Sequence, residues 1–317
     1  MPKGLYTQTV CVLTDGSTTI THIRSAVSEA GFSVLREVPS GERWEFSGPS
    51  LVVSHRAEAN GTVVIDVIDR PWPDSMGDPK SDPSLFGAWG MGQFGPFTYA
   101  GGLQRAAQHS WSWKQGREVA LKHQGVVRLR MTYAGGLPAH APLIPTDCDP
   151  LAELTFLTRI VIALGSIPGA LCYFNPNGEV LRDFAGLKSV SQACLQEQKQ
   201  PILLWSNARL FQLGSGFGFM DTVGNEQLDV SDIEVAYPTA EYQPADIDYY
   251  MRNVTHYLLD CGRQLKSGEA IDGPGERGLS WRIHMPESPL VSPPRRVLRL
   301  FPVAKETAIR EALSRIG

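Results

Sequence analysis

Apolar and polar positions along the first seventy residues form short blocks that change period. Residues 10–13 make a β-rich apolar run, Ile20, Ile23, Val27 and Ala30 recur at helical spacing behind a Ser/Thr cap region, and 32–38 is β-rich again. The pattern predicts a strand, a helix and a strand. Two further strands are expected at Ser50–Ser54 and Thr62–Ile68, separated by Glu58-Ala59-Asn60-Gly61, in which Asn-Gly is a tight-turn signal. The block reads as a small sheet with a helix on one face.

Between 71 and 98 the periodicity stops. Pro71, Pro73, Pro79, Pro83, Gly87, Gly90, Gly92, Gly95 and Pro96 predict a long loop without regular structure. Helices are expected over 102–113 and 118–123, and a strand over 126–133. Pro138, Pro142, Pro145 and Pro150 then mark the expected joint between an N-terminal lobe, 1–140, and a C-terminal lobe, 149–317. That second lobe should open with a helix over 149–164 capped by Asp149, followed by a strand over 170–174 and the turn Asn175-Pro176-Asn177-Gly178. Beyond it the pattern predicts a helix at 189–197, strands at 202–211 and 233–236, an amphipathic helix at 244–265, strands at 279–285 and 296–301, and a helix at 305–316. Helices and strands are interspersed without regular βα alternation, so the fold class is α+β, each lobe an antiparallel or mixed sheet backed by helices.

Composition adds a class and a compartment. With 317 residues, 42% hydrophobic and 20% charged, the chain resembles an ordinary globular protein of two domains and is expected to fold. The most apolar stretch, 154–174, contains Arg159 and is broken by Gly165, Pro168 and Gly169, so no membrane span is expected. The first residues lack the pattern of a secretory signal. Cys11, Cys148, Cys172, Cys194 and Cys261 are odd in number and contain no C-x-x-C pair, which predicts free thiols and a cytoplasmic location.

Candidate chemistry is sparse. Gly214-Ser215-Gly216-Phe217-Gly218-Phe219 lacks the Lys-Ser/Thr of a phosphate loop and reads instead as a glycine-bearing strand and turn that lets backbones approach closely. The seven histidines fall on separate segments with no H-x-x-x-H pair, and no Gly-x-Ser-x-Gly elbow surrounds a serine. Glu197-Gln198-Lys199 reads as a solvated helix end. No catalytic, cofactor-binding or metal-ligating residue is assigned.

Charge is more informative. The net charge of −4 argues against a surface adapted as a whole to phosphate backbones. From 210 to 251 there is no Lys or Arg, while Asp221, Glu226, Asp229, Asp232, Glu234, Glu241, Asp246 and Asp248 supply eight acids, punctuated by Tyr237, Tyr242, Tyr249 and Tyr250. Acids beside tyrosines suit the anchoring of a basic protein surface better than nucleic acid. Asp221, Glu226, Asp229, Asp232, Glu234, Tyr237, Glu241, Tyr242, Asp246, Asp248 and Tyr249 are therefore the expected partner-binding residues. Alternation should turn Ile233 and Val235 inward and leave Asp229, Asp232 and Glu234 facing solvent. The competing electrostatic feature is a basic patch at Arg105, His109, Trp111, Trp113, Lys114, Arg117, Lys122, Arg128 and Arg130, which could hold nucleic acid.

Residues 216–235, the helix that follows and Leu265-Lys266-Ser267-Gly268-Glu269-Ala270-Ile271 resemble the C-terminal block of a bacterial family, domain of unknown function 4261. Asp232-Ile233-Glu234-Val235 matches the family's E-I-E-V strand, whereas 267–271 departs from its turn by lacking an aspartate and a threonine. Residues 10–70 and 149–174 are loosely similar to the same family. The resemblance carries no established catalytic residue. It implies a setting among immunity or accessory proteins of interbacterial toxin systems such as type VI secretion. The implied role is a non-catalytic cytosolic protein that neutralises a secreted toxin with a basic surface, such as a nuclease. An effector-loading chaperone or adaptor and an uncharacterised enzyme are the alternatives.

Overall fold

The structure is a computed structural model, and it describes residues 3–40, 46–135, 143–214, 216–262, 265–275 and 278–314. The chain forms two compact units, Met1–Trp205 and Ser206–Gly317. Both are α+β, with helices packed on an antiparallel or mixed sheet.

The first unit runs β1 (Gln8–Thr14), α1 (Ile20–Glu29), β2 (Val34–Val38), β3 (Ser50–Ser54), β4 (Thr62–Ile68), α2 (Pro83–Gly90), α3 (Gly102–Gln108), α4 (Gly116–Lys122), β5 (Gly125–Thr132), α5 (Pro150–Leu164), β6 (Ala170–Asn175), β7 (Val180–Arg182) and α6 (Phe184–Gln196). Its seven strands pair antiparallel in the order β2-β3-β4-β5-β1-β6-β7. All seven residues of β1 are buried, as expected for a central strand covered on both faces. Thr19 caps the start of α1, and the Asp149 carboxylate caps the start of α5 by accepting from the Leu151 and Ala152 amides.

Two expectations need correction here. The stretch 71–98 is not a bare loop. It holds α2, and Trp72, Trp89 and Phe94 pack edge-on into the core beside Phe174. Aromatic burial overrides the proline and glycine content, and the backbone is tied down where the Trp72 amide donates to His123 Nε2 at 2.7 Å and the Asp74 carboxylate accepts from Leu103 and Gln104 at the start of α3. Second, the joint expected between 135 and 150 does not separate the compact units; 136–142 lies outside the described residues. β6 pairs with β1 through Cys11↔Phe174 and Leu13↔Cys172, so 149–205 completes the first sheet. Prolines mark a connection equally well inside a unit or between two, and a strand's partner is set by non-local pairing.

The second unit runs β8 (Asn207–Gly214), β9 (Phe217–Val223), β10 (Asp232–Pro238), α7 (Pro244–Cys261), β11 (Ala270–Asp272), β12 (Ser280–His284), β13 (Val297–Pro302) and α8 (Glu306–Leu313). Its six strands lie in the order β11-β12-β13-β10-β9-β8, antiparallel except for β10 beside β13. Residues 202–204 form a 3-10 turn where a strand was expected. The glycine-bearing strand and turn are present: Gly214 and Gly216 have φ of 76° and 80°, and Gly218 lies against the Tyr237 ring, where a Cβ would sit 2.6 Å from Tyr237 Cζ. One face of the sheet, with Ile233, Val235, Tyr237, Leu298, Leu300, Trp281 and Ile283, packs on Ile247, Met251, Val254 and Leu258 of α7. The other carries Phe219, Ala236 and Phe301 against Ile309 and Leu313 of α8.

Candidate functional site

The acid-rich run 210–251 divides into two parts with different physical fates. Its first part is core. Asp221, Glu226, Asp232 and Glu234 are at most 3% exposed, and Tyr237 is 1% exposed. Alternation does set Ile233 and Val235 against α7, but the opposite face of β10 meets protein, not solvent. Asp221 accepts from Arg209 at 2.8 and 2.5 Å and from Arg295 at 2.6 Å. Asp232 accepts from Thr222 Oγ1 at 2.7 Å and the Gly224 and Asn225 amides, with Arg295 Nε at 3.6 Å. Glu234 accepts from Arg299 Nε and the Leu290 amide, both at 2.7 Å. Glu226 takes the Arg296 amide and Nε. Arg209, just before the run, and Arg295, Arg296 and Arg299, far beyond it in sequence, neutralise these acids. Burial pushes the Asp232 carboxyl up to about 6 and also raises Glu234, against the pull of Arg295 and Arg299 respectively.

Asp229, Asp232 and Glu234 thus do not form one exposed face. Only Asp229 is exposed, at the rim of a cleft of about 390 Å³ that also holds Ser231, Glu287 and Arg296. Asp248 is half-buried and accepts from Arg252 one helical turn on.

The last part of the run builds a different site. Glu241, Tyr242, Asp246, Tyr249, Tyr250 and Asn253 line an open cleft of about 450 Å³, closed on one side by the turn at Gly273, Pro274 and Gly275. Asp246, Tyr249, Tyr250 and Asn253 recur at i, i+3, i+4 and i+7, which places them on one face of α7. The helix starts there because Pro244 occupies its first turn and Gln243 and Asp246 form a reciprocal cap, the Asp246 carboxylate accepting from the Gln243 amide.

Beneath the cleft, Tyr242 and Tyr250 rest against the Trp281 indole, with ring centroids 5.6 and 5.3 Å away. Among the described residues the phenol oxygens of Tyr242 and Tyr250 and the Trp281 Nε1 are buried without a hydrogen-bond partner. Gly273 has no room for a side chain, since a Cβ would run into Trp281 Nε1. At the lip, Tyr249 is 71% exposed, and Glu241 is exposed with Lys305 Nζ at 3.3 Å.

Of the expected partner-binding residues, Glu241, Tyr242, Asp246 and Tyr249 line this cleft, whereas Tyr250, Asn253, Gly273 and Trp281 were not among those expected. The helical spacing of Asp246 with Asn253 was the available signal; Gly273 and Trp281 arrive through β11–β12 pairing, which has none. No group of three His, Cys, Asp or Glu suited to a metal ion occurs among the described residues. The basic patch over 105–130 divides as well, with Trp111, Lys114, Arg117 and Lys122 exposed and three of its arginines engaged inside the fold. Arg128 and Arg130 are buried on Asp66, and Arg105 is paired with the buried Glu179. No described helix is long and apolar enough to cross a membrane.

No curated protein and no solved structure matches the chain. Residues 221–301 match the profile of a family described as a domain of unknown function, DUF4261. The match begins at the buried Asp221 and ends in β13, so it covers the cleft and, apart from Arg209, the arginine-carboxylate core, and lies wholly within the second unit. The similarity to that family is thus confined to the second unit.

Proposed function

We propose that the chain is a non-catalytic protein that binds a partner protein with a basic surface, and that the cleft of the second unit is the contact. The observation behind this reading is the cleft's chemistry: acids and tyrosines line it, no lysine or arginine does so among the described residues, and an exposed tyrosine stands at its lip. Tyrosine supplies contact area at low entropic cost, and surrounding carboxylates steer a basic partner toward it. In this role the protein is a cytoplasmic immunity protein that masks a secreted toxin, such as a nuclease delivered by type VI secretion. An effector-loading chaperone would use the same surface without blocking its client's activity.

Affinity capture with the full chain from its native cells, repeated with the double variant Glu241→Gln, Asp246→Asn, tests the reading. The expected result is a basic partner held at low salt, released as salt rises, and lost from the variant. Inhibition of that partner's activity in the complex selects the immunity role, and unimpaired activity selects the chaperone. Equal capture by wild type and variant removes the cleft from the contact.

A further inference from the structure

We propose that the cleft takes the guanidinium group of an arginine side chain presented by the partner; this inference rests on the binding role above and specifies its chemistry. Two carboxylates, Glu241 and Asp246, face the cleft and carry its charge. The charge of Asp272, at the end of β11, also acts on Tyr250. Glu241 already attracts one cation, Lys305, an exposed side chain that an incoming group can displace at small cost.

Acids alone would suit any cation. The aromatic floor narrows the choice. Tyr242 and Tyr250 line the cleft, are 5% and 7% exposed, and leave their phenol oxygens without a partner. A buried hydroxyl without a partner is unfavourable, and a ligand bearing several N–H donors relieves that. The exposed Tyr249 ring adds a face on which a planar cation can stack. A guanidinium meets all three demands at once, because it is planar, always charged and carries five donors in a fixed fork, whereas a lysine ammonium is a compact, strongly hydrated point charge. At about 450 Å³ the space exceeds a single side chain, so the arginine would enter with its neighbouring peptide and not as a free small cation.

The second unit holds one tryptophan, Trp281, which lies against the cleft's two inner tyrosines. Fluorine NMR of the full chain labelled with 5-fluorotryptophan, with the Trp281 signal assigned through Trp281→Phe, reads the cleft directly. The probes are N-acetyl-arginine methylamide, its lysine counterpart and the uncharged citrulline counterpart. We expect a saturable shift of the Trp281 signal with the arginine probe, binding about tenfold weaker with lysine and no shift with citrulline. The Glu241→Gln, Asp246→Asn variant should lose the response, while its six other tryptophan signals stay in place as the control for folding. Equal responses to arginine and citrulline, no saturable response to any probe, or an undiminished response in the variant each overturn the proposal. The capture experiment separates this failure from failure of the binding role. A partner still released by the same variant, after the arginine probe has failed, leaves the cleft as the contact and removes only the guanidinium.

Discussion

Each unit buries an aspartate between two arginines, but the two clusters balance their charge differently: one carboxylate, Asp66, faces Arg128 and Arg130 in the first, whereas Asp221, Asp232 and Glu234 face Arg209, Arg295 and Arg299 in the second. In the first sheet one cross-strand row runs Phe174, Cys11, Arg128, Asp66, Ser50. Asp66 is its only acid; it receives Arg128 at 3.0 and 3.1 Å and Arg130 at 2.6 Å. The extra positive charge is met by neutral acceptors, the Phe46 and Gln93 carbonyls and the Gln93 side chain. In the second sheet the corresponding row reads Arg209, Asp221, Glu234, Arg299 across β8, β9, β10 and β13. Here two like charges stand directly opposite each other, an arrangement that destabilises a strand pair unless flanking cations compensate. Arg209 and Arg295 hold one acid and Arg299 the other. The first cluster depends on a single carboxylate, whereas the second shares its charge among several.

Removing the aspartate should therefore hurt the first unit more. Asp66→Asn removes the carboxylate that both buried arginines share and is expected to cost about 3–5 kcal/mol. Hydrogen exchange of peptides from β4 and β5 should rise while peptides from β9 and β10 stay protected. Asp221→Asn also strips a carboxylate from two arginines, but it relieves the repulsion with Glu234 and leaves Asp232 beside Arg295. Its expected cost is smaller, about 2–3 kcal/mol, read from the same exchange experiment with the roles of the peptides reversed. Equal costs would mean that the local count of charges does not govern either cluster.

Acid sharpens the contrast because the two units bury titrating groups of opposite sign. The Asp232 carboxyl, pushed up to about 6 by burial, keeps its proton in the folded chain at pH values where the unfolded chain has lost it. Relative to Asp232→Asn, wild type should gain stability as pH falls from 7 toward 4, by on the order of 2 kcal/mol. His123 behaves in the reverse sense. Burial lowers its pKa, and its ring is held neutral with Nε2 accepting from the Trp72 amide and Nδ1 facing the Ala120 carbonyl. Relative to His123→Asn, wild type should have its full advantage above pH 6.5 and lose it as pH falls and the unfolded histidine protonates. Urea titrations at several pH values check both slopes, and slopes of the same sign would contradict the burial of one of the two groups.

These contrasts show where the sequence was legible. Periodicity located Ser50–Ser54 and Thr62–Ile68 to the residue, and the Ser/Thr cap region and Asp149 pointed to α1 and α5, because those signals are local. The resemblance to the DUF4261 family rested on 216–235, the helix after it and 265–271, which the profile match over 221–301 overlaps, whereas the looser likeness over 10–70 and 149–174 lies outside that match. What failed was any inference about the far side of a strand. Asp232 and Glu234 alternate with Ile233 and Val235 as expected, yet Arg295 and Arg299 approach from more than sixty residues away and close that face. An absence of Lys and Arg over 210–251 looked like an open acidic surface, since the neutralising arginines lie outside it in sequence and beside it in space. The cleft was half visible for the same reason: its α7 side carries helical spacing, and its Gly273–Trp281 side comes by sheet pairing.

The smallest expected effect tests whether the acidic run really divides. Asp229 lies between the buried Glu226 and Asp232, yet it is exposed and ends a short 3-10 turn in the left-handed conformation, with φ of 62°. Asparagine tolerates that conformation at least as well as aspartate, so Asp229→Asn changes the charge and leaves the backbone unstrained. An exposed acid gains little from its surroundings through solvent, and the expected change in stability is within about 0.5 kcal/mol. Chemical denaturation at pH 7 measures the change. A loss above about 1 kcal/mol would tie Asp229 into the arginine network and move the boundary between core and surface toward the helix that carries the cleft.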